Sequence, residues 1–149
     1  MISDEEHLAR ILRPNWIVMG RVSSAAFNLR ANISEAYISV LREHIESFVH
    51  DARKVSKEKS VTYASMEAKS IRSVRLENVE EEVALDVKAT DNRQMKSYAG
   101  IFVYINGKQY IGGMPPDTLE LKRGIPAELI LLETRRTLAK IANRNIKNI

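Results

Sequence analysis

The stretch IFVYINGKQYIGG at 101–113 constrains the fold of this chain more than any other. Asn106-Gly107 supplies the two positive-φ residues that a type I′ turn requires, so 101–105 is expected to pair with 108–111 as a hairpin. Within it Ile101, Val103 and Ile105 point to one face, and Phe102 and Tyr104 to the other. Both faces are apolar, which predicts a strand in a sheet interior or under a helix. A chain that must bury such a strand needs further strands and at least one covering layer.

The surrounding sequence offers both. VTYASM, IRSVRLE and VALDVKA are rich in β-branched and aromatic residues and read as additional strands. At the N-terminus, Ser3 and Glu6 have capping-box spacing, Leu8, Ile11 and Leu12 share a helical face, and Pro14 is a stop, which predicts a helix over 3–12. WIVM, between Pro14 and Gly20, reads as a short strand, RVSSAAF either continues it after a bend at Gly20 or turns into a tight loop, and 28–34 reads as a connection. Residues 35–53 admit two readings. Tyr37, Ile38, Leu41, Ile45, Phe48, Val49 and Ala52 form one helical stripe, yet YISV alone is strand-like, with helix from 42 to 53 in either case. A polar loop follows over 53–60. Asp117 and Glu120 have the spacing to cap a short helical turn ending at Gly124, although Leu119 and Leu121 also alternate as in a strand, and Pro126 suits the first position of a final helix. That helix would bury Ala127, Ile130, Leu131, Thr134, Leu138, Ile141 and Ala142, and present Arg136, Lys140, Arg144 and Lys147 on its opposite side. The expected architecture is one α+β domain over 1–149: a mainly antiparallel sheet of roughly four to six strands with N-terminal, central and C-terminal helices.

Composition removes several kinds of chemistry. Without cysteine there is no disulfide, thiolate nucleophile or thiolate zinc site. The N-terminus opens acidic and lacks the apolar core of a signal peptide, and no apolar run approaches the roughly 20 residues that span a bilayer. A cytoplasmic protein with no membrane partner is expected. The net charge of +4 divides as −2 over 1–51, +1 over 52–121 and +5 over 122–149. Such a basic end suits an acidic partner or nucleic acid, and equally a solvated helix face.

No reactive constellation is assembled in the sequence. Glu46 and His50 stand four apart, as two helical metal ligands would, but without an HExxH pattern, so no metal is expected. Ser23 and Ser24 lack a G-x-S-x-G elbow, and hydroxyls beside alanines commonly satisfy local turns. Glu80, Glu81 and Glu82 are adjacent and point apart. Gly112-Gly113 lacks the lysine and helix of a phosphate loop, while Lys122-Arg123-Gly124 precedes a helix start that could receive an anion. No cofactor is expected. Tyr98, Tyr104 and Tyr110 could stack on bases, although the segments carrying them do not match the aromatic motif of RNA-binding sheets.

The run from Pro14 to Val40 carries Trp16, then Gly20, Arg21, Ser23, Ser24, Ala26 and Phe27, then Ile38, Ser39 and Val40. It resembles a family of small uncharacterised bacterial proteins with a tryptophan segment, a G-R-x-S-S-x-A-F stretch and a strand-like L-S-V, with isoleucine here in place of leucine. The resemblance covers about a quarter of the chain and carries no known activity. It implies that YISV is a strand, and it makes Arg21, Ser23 and Ser24 the first candidates for a functional surface. Some relatives carry a histidine before an alanine late in the chain; Tyr98 stands there in this one.

These readings favour a non-enzymatic binding or accessory module that works through a protein partner or self-association. Two alternatives stand beside it. One is weak nucleic-acid binding through Arg136, Lys140, Arg144 and Lys147. The other is an enzyme with a polar cleft near Arg21, Ser23 and Ser24.

Overall fold

The computed structural model describes residues 1–77, 79–90, 92, 94–115, 119, 121 and 127–149. Its first regular element is a strand, β1 (His7–Ile11), where the capping pattern predicts helix. Ser3 and Glu6 do close a turn, the Glu6 N–H donating to the Ser3 carbonyl at 3.2 Å. The Glu6 carboxylate is taken instead by the Arg42 guanidinium, through bonds of 2.7 and 2.9 Å. The supposed stripe of Leu8, Ile11 and Leu12 is divided between the two faces of a sheet. A short apolar run satisfies either period, and pairing on both sides of β1 decides for the strand.

Two short strands follow, β2 (Ile17–Val18) and β3 (Arg21–Val22), paired as a hairpin about Met19-Gly20 rather than continuing as one bent strand. β4 (Ile38–Arg42) corresponds to YISV and removes the long-helix reading. The central helix, α1 (Phe48–Ser56), starts six residues later than predicted and reaches into the supposed loop. Glu43–Ser47 is spent on turns, through Ile45 N–H to the Arg42 carbonyl and Phe48 N–H to the Ile45 carbonyl. β5 (Thr62–Glu67) is as expected, but IRSVRLE forms no strand: Ile71 and Arg72 end a short helix, α2 (Ala68–Arg72), whose Ala68 and Ile71 are buried three residues apart, and 73–77 follow without regular structure. Then come β6 (Val83–Ala89), β7 (Tyr98–Ile105), β8 (Lys108–Gln109), α3 (Ala127–Ala142) and β9 (Ile146–Asn148). The expected features at Asp117, Glu120, Lys122–Gly124 and Pro126 lie outside the described residues. Among the described residues, no helix is long and apolar enough to cross a membrane.

The main sheet has the order β6-β7-β4-β1-β5-β9, with β8 folded back on β7, and every pairing is antiparallel. β7 is therefore an interior strand as predicted, with Ile101, Val103 and Ile105 buried on one face and Phe102 and Tyr104 half-exposed on the other. Asn106 and Gly107 both have positive φ, and Ile105 pairs with Lys108 across them. Alternation along the strands makes two cores. Leu8, Val40, Met66, Ile101, Val103, Leu85 and Val87 pack with Ala68 and Ile71 of α2 and with Ile130, Leu138 and Ile141 of α3. On the other face Ala9, Ile11, Leu41 and Tyr63 pack with Phe48 and Ala52 of α1 and with Val61, and the half-buried Tyr98 and Ile149 lie against them. The single α+β domain is thus covered fully on one face and partly on the other.

Two polar side chains fasten the layers. The Arg72 guanidinium donates to Asp86 at 2.9 Å, Asp4 at 2.8 Å, the Ile2 carbonyl at 2.8 Å and the Val87 carbonyl at 3.0 Å, tying the N-terminus, α2 and edge strand β6 together. Asp51, buried in α1, accepts from the Ser97 hydroxyl at 2.7 Å, the Ser97 N–H at 3.3 Å and the Ser47 hydroxyl at 2.9 Å. Burial alone would raise its pKa, but these donors outweigh burial and hold it below the ordinary carboxylate value. A lowered pKa stabilises the fold fully above the unfolded carboxyl's value and loses that contribution as pH falls through the folded one. Asp51→Asn is expected to lose about 1–3 kcal/mol at neutral pH. Its stability should also fall less steeply than the parent's below about pH 4. Urea unfolding followed from pH 7 to pH 3 checks both expectations.

Candidate functional site

Arg10 is the one charged residue among the inward positions of β1, flanked by buried Leu8 and Leu12. The sheet face there is apolar, so its guanidinium needs partners close by. It finds them in the excursion between β1 and β4. Nε donates to the Ala26 carbonyl and one terminal nitrogen to the Ser39 carbonyl, both at 2.8 Å. The second terminal nitrogen, Nη2, makes no hydrogen bond with the described residues. The guanidinium carbon lies 4.8 Å from the centre of the Trp16 ring, and that of Arg13 lies 5.2 Å from the same ring. Arg13 is exposed and makes no ion pair among the described residues.

These groups line a cleft of about 720 Å³ at the ends of β1 and β4. That volume falls within the range of small-molecule sites, roughly 300–1,000 Å³. Arg10, Arg13 and Trp16 form one wall and Arg30 with Glu35 another. The end of α1, with Val55, Ser56 and Lys57, closes a third side. Ala9, Ile11, Ser39, Leu41 and Tyr98 contribute from the sheet, where the Ser39 and Tyr98 hydroxyls are hydrogen-bonded at 2.6 Å. Burial, before all else, lowers the Arg10 pKa to about 10; Glu35 and Tyr98 oppose the shift, and the nearby Arg13 and Arg30 add to it. Two guanidinium groups thus flank one indole, Arg30 stands on a separate wall paired with Glu35, and Glu58 lines the space as a second acid.

The Arg30–Glu35 wall is built by backbone contacts. Glu35 accepts from the Arg30 N–H at 2.9 Å and pairs with its guanidinium at 3.1 Å. The loop is then gripped from outside, the Gly112 N–H donating to the Glu35 carbonyl at 2.9 Å. A Cβ at Gly112 would overlap the Arg30 carbonyl. Gly112 thus serves backbone-to-backbone contact rather than phosphate binding.

The sequence-derived candidates lie elsewhere. Arg21 is exposed on β3, and Ser23 and Ser24 are half-buried, with hydroxyls that make no hydrogen bond among the described residues. The whole segment docks on α3, with Phe27 buried and Asn143 exchanging bonds of 2.8 and 3.1 Å with the Val22 backbone. Ser24 shares a shallow groove with Arg136 and Lys140, beside Glu133 and Asn143. Arg136 is paired with Glu133 at 3.0 Å. Arg144 follows the helix, and Lys147 sits on β9, with Nζ 3.9 Å from Glu43, because α3 ends at Ala142. The expected four-residue stripe on one helix is therefore split over three elements.

Glu46 precedes α1 and does not share a helical turn with His50. No group of three or more His, Asp or Glu residues among the described ones has metal-holding geometry. At the far end of the sheet, the buried Ser65 hydroxyl donates to Glu43, with His7 Nδ1 3.4 Å away. The carboxylate, not the imidazole, receives that proton, and Ser65 is 4% exposed, so its hydroxyl is tied into the sheet rather than presented as a nucleophile.

Sequence reasoning missed Arg10, Trp16 and Arg30 as a group. A strand reading of HLARIL would have exposed the signal: one charge at an inward position of an otherwise apolar strand. Comparison with protein-family models, curated proteins and solved structures finds no match to this chain.

Gly112→Ala is expected to cost about 1–3 kcal/mol, the range for a forced overlap in packed structure. It should also shift the emission of Trp16, the single tryptophan, as the cleft wall moves. Urea unfolding and a fluorescence spectrum of the folded variant check this.

Proposed function

We propose that the protein is a binding module whose Arg10–Trp16 cleft holds an organic anion, a molecule with a phosphate or carboxylate group and a flat ring. The observation that carries the reading is the placing of Arg10 and Arg13 against one indole, in a cleft that Arg30 also lines. Like charges held together in a partly desolvated cleft raise the free energy of the empty site, and an anion relieves it. Arg10 is already oriented by two backbone carbonyls and retains Nη2 for a ligand oxygen. Trp16 offers its ring for stacking and its emission as a reporter.

Titration with inorganic phosphate, pyrophosphate and adenosine monophosphate is expected to give a saturable change in Trp16 emission with at least one of the three. Arg13→Gln removes an exposed cation without touching the core, and should weaken that binding about tenfold or more. A flat response to all three probes, in a folded protein, would remove this reading.

A protein contact is the second reading, and it rests on the β2–β3 hairpin. Val18 is 57% exposed and Met19 96% exposed at its tip, adjacent apolar side chains held out in solvent. Self-association through this tip would give a mass that rises with concentration in size exclusion with light scattering, and Met19→Asp should return it to the monomer. A constant monomer mass in the parent protein would dismiss self-association. The enzymatic reading at Ser23 and Ser24 and the basic-helix reading have less to stand on. The two serines share no hydrogen bond with a histidine or carboxylate, and the four basic residues do not form one surface stripe.

A further inference from the structure

The cleft continues onto an aromatic surface. Tyr98 lines it and belongs to the face of β7 that also carries Phe102 and Tyr104. Between Tyr98 and Phe102 the same face has Gly100, and the ring of Tyr37 lies over that glycine, 6.4 Å from Tyr98 and 5.1 Å from Phe102. The result is a row of four half-exposed rings, Tyr98, Tyr37, Phe102 and Tyr104, leading from the cleft along the sheet. α1 packs on Ala9, Ile11 and Leu41 but not on this row beyond Tyr98. Lys88, exposed on neighbouring β6, has Nζ 5.1 Å from the Phe102 ring centre, 5.2 Å from that of Tyr104, and 2.6 Å from the Tyr104 hydroxyl. Asp86, opposite Phe102, has its carboxylate engaged by Arg72.

A row of rings with arginines at one end and the Lys88 ammonium beside Phe102 and Tyr104 suits a repeating polymer of flat groups and negative charges. We infer that the cleft's ligand is single-stranded nucleic acid, one phosphate lying among Arg10, Arg13 and Arg30 and successive bases over Tyr37, Phe102 and Tyr104. This rests on the anion reading of the cleft. Alternate residues of a strand stand about 6.8 Å apart. Bases splayed from an extended single strand can follow that step, whereas a duplex stacks at about 3.4 Å per base and hides their faces. The rings offer faces rather than base-specific bonds, so sequence preference is weak and salt dependence strong.

The test is fluorescence anisotropy at low salt with a labelled oligothymidylate of about twelve nucleotides, a matching duplex, and thymidine monophosphate as competitor. The single strand should bind at least about tenfold more tightly than either the duplex or the mononucleotide. Phe102→Ala with Tyr104→Ala should weaken the oligonucleotide by about tenfold or more and leave mononucleotide binding unchanged. Lys88→Glu, at an exposed position that cannot disturb the core, should also weaken it. Arg13→Gln should weaken both ligands. Oligonucleotide binding no tighter than the mononucleotide, or insensitive to Lys88→Glu and the ring substitutions, overturns this inference while leaving the anion cleft standing. Oligonucleotide binding indifferent to Arg13→Gln overturns the cleft as its anchor. Equal affinity for duplex overturns the single-strand assignment.

Discussion

The long excursion from Arg13 to Tyr37 leaves the sheet and must return with its backbone polar groups satisfied. One guanidinium does much of that work. Arg10 rises from near the end of β1 and reaches the Ala26 and Ser39 carbonyls, so that one side chain joins a central strand, the turn after the β2–β3 hairpin and the start of β4. Its cost is the burial of a cation, reflected in its lowered pKa, and that cost is offset by the two accepting carbonyls and by the face of Trp16. The cleft is a by-product of this solution: the excursion is held away from α1 by its own anchor, and the space between them remains.

The same economy explains why the site is not where the distinctive residues are. Trp16, Gly20, Arg21, Ser23, Ser24 and Phe27 lie in one continuous stretch, but the hairpin turns them in different directions. Phe27 enters the core, Val22 is bound by Asn143, and Trp16 alone faces the arginines. A segment conspicuous in sequence is therefore mostly scaffold, and its contribution to chemistry is one ring and the carbonyl that fixes Arg10.

What could be read from sequence followed how local the cause was. Asn106-Gly107 dictates its turn within two residues, so the hairpin, the interior position of β7 and the α+β class were legible. The N-terminal segment was not, because Leu8, Ile11 and Leu12 fit a helix as well as a strand, and the deciding partners, β4 and β5, lie some 30 and 55 residues away. The start of α1 was misplaced for a similar reason: Ile45 continues the helical period, yet the chain needs Glu43–Ser47 to turn out of the sheet. The cleft was the least legible feature. Arg10 meets carbonyls 16 and 29 positions away, and the wall at Arg30 depends on a glycine more than 80 residues downstream. Spacing along the chain carries no trace of such contacts.

The Arg72 cluster has a bearing on what the molecule avoids. β6 ends the sheet, and the outer edge of such a strand ordinarily invites another chain to add to the ladder. Midway along it, however, the Val87 carbonyl is occupied by Arg72, and the Val87 amide is bound by Asp86 at 2.7 Å. An incoming strand would find that rung already taken and a cation in its path. The fastening that secures the N-terminus thereby also guards the border of the sheet, letting a chain with an open aromatic face keep its β-structure to itself.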